Sequence, residues 1–169
     1  MPSKSKNKGS QFERDVAKRL SDLFGESFIR VTNSGAYIGG KNTARKDNLS
    51  EAQIRHSKGD IVPGPSFGRM NAEAKNYADF PFHQLFTGSC RQLDSWIEQM
   101  LDVADDGDFN ILFMKFNRKG TYVAVPQNQN WDPTLSSFIY RSQRHQVWQI
   151  FDLEQFLNLN KNSIAALCR

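Results

Sequence analysis

An α/β domain, a central sheet flanked by helices, is the fold class the sequence predicts, and three stretches predict it. Residues 10–24 space their apolar side chains at helical intervals, 59–77 read as a strand end, a reversal and a second strand, and 109–126 read as a hairpin. With 169 residues, 38% of them hydrophobic and 13 of them Phe, the chain has material for a single domain with a substantial core, which we place at 10–169 behind a flexible basic arm at 1–9. No apolar run is long enough to span a bilayer, and Met1 to Lys8 lacks the apolar segment of a secretion signal, so a cytoplasmic protein is expected. Cys90 and Cys168 stand far apart without C-x-x-C spacing, which suggests packing residues rather than a zinc site or a disulfide.

The elements follow in order. In residues 2–9 Ser and Lys alternate, and lysines such as Lys8 can touch a phosphate backbone. Ser10-x-x-Glu13 matches a capping box, and Phe12, Val16, Ala17, Leu20, Leu23 and Phe24 continue the helix until Gly25 stops it. Glu13 either reaches back to the Ser10 amide or, from the border of the apolar stripe, overlooks a strand-borne metal. Phe28 to Val31 is a short strand, and Thr32 to Ala36 is a turn of small residues whose amides and hydroxyls can hold a phosphate, although composition alone favours an ordinary turn. Residues 39–58 form a basic insertion with Lys41, Arg45, Lys46, Arg55, His56 and Lys58 and a short helix from Ser50 through Arg55. It either grips a DNA strand or is a solvated insertion; the lone His56 is not read as catalytic.

After 59–77 comes a turn with Pro81, then one long helix from about His83 to Val103, with Gln92 either directed toward the site or merely exposed. The acidic run Asp102 to Asp108 reads as a solvated turn without the ligand spacing of a calcium hand. Strands are expected at Phe109 to Phe116, at Thr121 to Pro126 after the turn Asn117 to Gly120, and at Val147 to Phe151, with Asp152 capping a final short helix.

Charge and site point the same way. Up to Lys58 there are 12 Lys/Arg against 6 Asp/Glu, and from Gly59 onward 10 against 12, for a formal net charge of +4. A basic leading segment suits a phosphate-backbone partner through counterion release. No basic amphipathic helix with bulky apolar anchors opens the chain, so nucleic acid is favoured over a membrane. Along a strand, side chains alternate faces, so Glu73 and Lys75 emerge together while Ala72 and Ala74 take the other face, and Asp60 can sit opposite them. Two converging carboxylates make an oxygen site suited to Mg2+, and a neighbouring lysine can orient or deprotonate water and offset charge on a phosphate. The plainer reading of the same residues is a solvated strand face.

The combination of Lys8-Gly9-Ser10-Gln11-Phe12-Glu13-Arg14, Ser34-Gly35, Gly59-Asp60-Ile61-Val62 and Ala72-Glu73-Ala74-Lys75 resembles the archaeal-type Holliday junction resolvases of the PD-(D/E)XK nuclease superfamily, of which similar small proteins are encoded by phages. The resemblance implies a restriction-endonuclease-like fold with a central mixed sheet. It also implies a Mg2+-dependent endonuclease, with Mn2+ able to substitute, that leaves a 5′-phosphate and a 3′-hydroxyl on branched or double-stranded DNA. Glu13, Asp60 and Glu73 would be metal ligands with the Ala74 carbonyl, Lys75 would activate the attacking water, and Ser34 would contact the scissile phosphate. Gln92 would correspond to a helix glutamine of several branches. Resolving a junction takes two symmetric incisions, which implies a C2 homodimer, in the host cytoplasm if the protein is phage-encoded. Two departures stand out: Gly59 replaces the Pro of the superfamily name, and the compact archaeal proteins lack the insertion at 39–58. The alternatives are a restriction-like or repair nuclease acting on linear DNA and a DNA-binding protein that does not cleave, the latter disfavoured by intact Glu13, Asp60, Glu73 and Lys75.

Overall fold

The computed structural model of the chain describes residues 4–31, 58–141 and 147–169. Helix α1 (Lys4–Phe24) begins upstream of Ser10, so residues 4–9, expected as a flexible arm, belong to its first turns. Ser10 is an interior helical residue and not a cap. Gly25 ends the helix as expected, with a φ of 72° and its amide on the Ser21 carbonyl.

Strand β1 (Ile29–Arg30) pairs antiparallel with β2 (Ile61–Val62), making a ribbon separate from the main sheet. A 3-10 turn (Pro65–Phe67) leads into β3 (Met70–Tyr77). Two helices follow where one was expected: α2 (Phe82–Phe86) and α3 (Arg91–Leu101). Between them Gly88 takes a φ of 72°, and the Cys90 amide donates to the Tyr140 hydroxyl at 2.8 Å, so a side chain from a distant strand replaces the helical acceptor at the break. Strands β4 (Phe109–Phe116) and β5 (Gly120–Pro126) form the expected hairpin, and β7 (Val147–Asp152) matches the expected late strand. Asp152 caps α4 (Leu153–Leu159), accepting from the Gln155 amide at 3.0 Å. Strand β6 (Ser137–Arg141) and helix α5 (Lys161–Cys168) were not anticipated.

The main sheet runs β3-β4-β5-β7-β6, with β3 parallel to β4 and the other pairs antiparallel, which is the mixed sheet of a restriction-endonuclease-like fold. The parallel pair requires a crossover, supplied by α2 and α3. Alternation sorts the side chains into two cores. Ile111, Phe113, Val123, Val125 and Phe151 meet α1, α4 and α5, whereas Leu112, Met114, Phe116, Ala124, Trp148 and Ile150 meet α2 and α3. Both cysteines are free and buried, as packing residues. No helix among the described residues is long and apolar enough to cross a membrane.

Candidate active site

Strand β3 lies at the edge of the sheet, and alternation divides it as the sequence predicts. Ala72 and Ala74 face α1, fully or nearly buried, where larger side chains would hold the helix away. Asn71, Glu73 and Lys75 face α3: Asn71 donates to the Met100 carbonyl at 2.9 Å, and the Lys75 ammonium donates to Glu73 Oε1 at 2.6 Å and to Gln99 Oε1 at 2.9 Å. The outer edge of β3 would expose backbone groups. Asp60 takes them up, its amide donating to the Ala72 carbonyl at 2.8 Å and its Oδ2 accepting from the Ala74 amide at 3.0 Å. N–H and C=O of one strand residue point to the same side, so the Ala74 carbonyl is directed toward Asp60 as well.

Gly59 makes that placement possible. Its φ of 63° is left-handed, and a Cβ there would press into the Ala72 carbonyl and stand 3.2 Å from Asn71 Oδ1. Proline, fixed near −65°, cannot adopt this conformation, so the Pro of the superfamily name would not fit this backbone.

Asp60 and Glu73 are almost completely buried and in hydrogen-bonding contact with each other. Burial first, and the Asp60 charge second, push the Glu73 carboxyl up to about 7, against the opposing pull of Lys75. Two buried carboxylates side by side call for a proton or a cation between them. Glu13 projects from α1 into the field of Asp60 and Lys75, and burial, its largest influence, raises its carboxyl above the usual range. Its side chain engages Arg30 of β1 and not the Ser10 amide, which removes the capping-box alternative. Among the described residues no three His, Cys, Asp or Glu side chains are grouped closely enough to hold a metal ion; Asp60 and Glu73 stand together, and Glu13 is ion-paired with Arg30. Two carboxylates and a carbonyl are nevertheless hard oxygen donors of the type Mg2+ and Mn2+ take, and the buried charge they carry fits a divalent cation.

Other expected site residues divide. Ser34, Lys41, Arg45, Lys46 and Arg55 lie outside the described residues. Lys8 is exposed on α1, its carbonyl accepting from Asn76 Nδ2 at 2.9 Å. Lys58 does not present itself to DNA: it is buried and ion-paired with Asp105 at 2.9 Å and with Asp108, so the acidic run is a partner for this lysine and not simply a solvated turn. Gln92 is half-buried on α3, and Gln99, two helical turns further on the same face, is the glutamine that reaches Lys75, at 2.9 Å. Arg30 escaped the sequence reading because its role depends on α1 crossing β1. A cleft of about 490 Å³ lined by Pro65, Ser66, Gly68, Arg69, Cys168 and Arg169 contains none of these residues.

Residues 4–166 match the family model described as "Phage putative PDDEXK endonuclease". Neither a curated protein nor a solved structure matches the chain.

Proposed function

The chain belongs to the phage PD-(D/E)XK endonuclease family and is a nuclease of that superfamily, and we propose that it is a Mg2+-dependent, structure-specific DNA endonuclease that resolves Holliday junctions and other branched DNA by paired incisions. The observation that supports the site assignment is the buried Asp60–Glu73 pair with Lys75 held against it. Asp60, Glu73 and the Ala74 carbonyl would hold the divalent ion, with Glu13 joining them on release from Arg30. Once bound, the cation would lower the pKa of an attacking water and offset charge on the phosphate. Mn2+ fits the same donors. Lys75, fixed between Glu73 and Gln99, orients the water and meets the developing negative charge. Arg30, freed from Glu13, is a cation available to the phosphate. Ser34 would contact that phosphate, and Lys41, Arg45, Lys46 and Arg55 would track the flanking backbone.

Two cuts on opposed strands fit a C2 homodimer acting in the cytoplasm of the host, and sedimentation velocity should return twice the chain mass. The deciding experiment is cleavage of an end-labelled four-way junction beside a matched linear duplex, in Mg2+ and in Ca2+, by wild type and Asp60→Asn. Paired nicks on the junction alone, requiring Mg2+ and Asp60, are expected. Equal cutting of the duplex would replace this reading with a restriction-like or repair nuclease, and binding without cutting in any metal would replace it with a DNA-binding protein. Changing Lys41, Arg45 and Lys46 together to Ala should reduce the salt dependence of binding by a slope of about three, and an unchanged slope removes that segment from the interface.

A further inference from the structure

The end where β3 and β4 finish in parallel carries four basic residues and one half-exposed aromatic ring. The register sets Asn76 against Lys115 and Tyr77 against Phe116. The Lys115 ammonium lies 5.7 Å from the ring centre of Phe12, the residue next to Glu13, and the Asn76 bond to the Lys8 carbonyl brings the exposed Lys8 to the same end. Arg118 is exposed at the tip of the β4–β5 turn in a left-handed conformation, with a φ of 59°. Lys119 pairs with Asp79 and so neutralises an exposed acid on this rim that would otherwise repel phosphate. Tyr77 shares a strand face with Lys75, about 7 Å further on. It packs against Trp96 with 4.9 Å between ring centres, yet 45% of it remains exposed.

A half-exposed ring packed on a buried tryptophan on the α3 face, at a strand end that carries Lys8 and Lys115 on the α1 face and Arg118 at the turn, suits a nucleotide whose base is unstacked. Paired bases inside a duplex cannot offer that face. We infer that Tyr77 is a stacking platform for an unpaired base beside the cleavage point, and that Lys8, Lys115 and Arg118 hold the backbone of the same strand. This inference rests on the nuclease reading and narrows it to DNA with unpaired nucleotides at the cut: a junction centre, a gap or a flap.

The test measures binding in Ca2+, apart from cleavage, with a synthetic duplex interrupted by a short single-stranded gap that carries 2-aminopurine at each position in turn, and with an unbroken duplex of the same sequence. Wild type should quench the fluorescence of one gap position. Tyr77→Leu should abolish the quench and weaken gapped-DNA binding about ten-fold with the unbroken duplex unaffected, and Tyr77→Phe should restore both. The Lys115→Ala, Arg118→Ala double variant should lower the salt slope by about two. No quench in wild type, or equal loss by Tyr77→Leu on both DNAs, overturns the platform; an unchanged slope overturns the rim. Cleavage by wild type in Mg2+ is scored separately. A protein that quenches and binds but never cuts fails as a nuclease while the platform stands, and one that cuts with Tyr77 dispensable for binding fails the reverse way.

Discussion

Asp60 has two tasks that different substitutions separate. Asp60→Asn keeps an oxygen able to accept from the Ala74 amide, so it should fold like wild type and lose cleavage by several orders of magnitude. Asp60→Ala leaves that buried amide unpaired and should also lose about 1–2 kcal/mol in urea unfolding. Glu73 carries the pH dependence. Its carboxyl is raised from 4.5 to about 7, so the folded chain binds its proton more tightly than the unfolded chain. That contribution is complete below pH 4.5 and is lost as pH rises through about 7, on the order of 3 kcal/mol at most. Without divalent ions the melting temperature should fall across this window, Glu73→Gln should flatten the fall, and added Mg2+ should restore most at the alkaline end, where the proton no longer competes. At this scale the sequence was legible where chemistry follows strand alternation, as for Glu73 with Lys75. It was silent where two remote elements meet, as for Arg30 with Glu13.

The elements adjoining the site are pinned by contacts that local patterns do not encode. Lys58, with Asp105 and Asp108, fastens the chain two residues before Asp60 to the turn that starts β4. Lys58→Ala removes the cation from Asp108, which still accepts from the Asp105 amide, and should cost on the order of 2 kcal/mol in a denaturant titration. Gly59→Ala forces a side chain into left-handed backbone against Ala72, and should cost on the order of 2 kcal/mol and reduce cleavage by displacing Asp60. The motif Ser10-x-x-Glu13 misled because the helix already had earlier turns, and a cap residue inside a continuing helix has no orphan amide to satisfy. The apolar run from His83 to Val103 hid its break because helical periodicity persists on both sides of Gly88, and only the Tyr140 hydroxyl, on an unanticipated strand, explains the interruption.

For the whole molecule, fold class and the core strands were readable because β3, β4, β5 and β7 are long or strongly alternating. β6 was not, since as an edge strand it buries Tyr140 alone and exposes Ser137, Ile139 and Arg141, leaving little apolar rhythm to detect. The sheet order also has a bearing on how the protein comes into being. The β4–β5 hairpin closes through a tight turn, while the β3–β4 pair joins Met70 to Phe109 across a helical crossover. Chain-closure entropy favours the hairpin as the earlier event and the parallel edge as the later one. Glu73 and Lys75 lie on that later edge, so a nascent or partly refolded chain holds most of its hydrophobic framework before its cutting centre exists, and gain of activity should lag behind gain of tryptophan burial in a refolding time course.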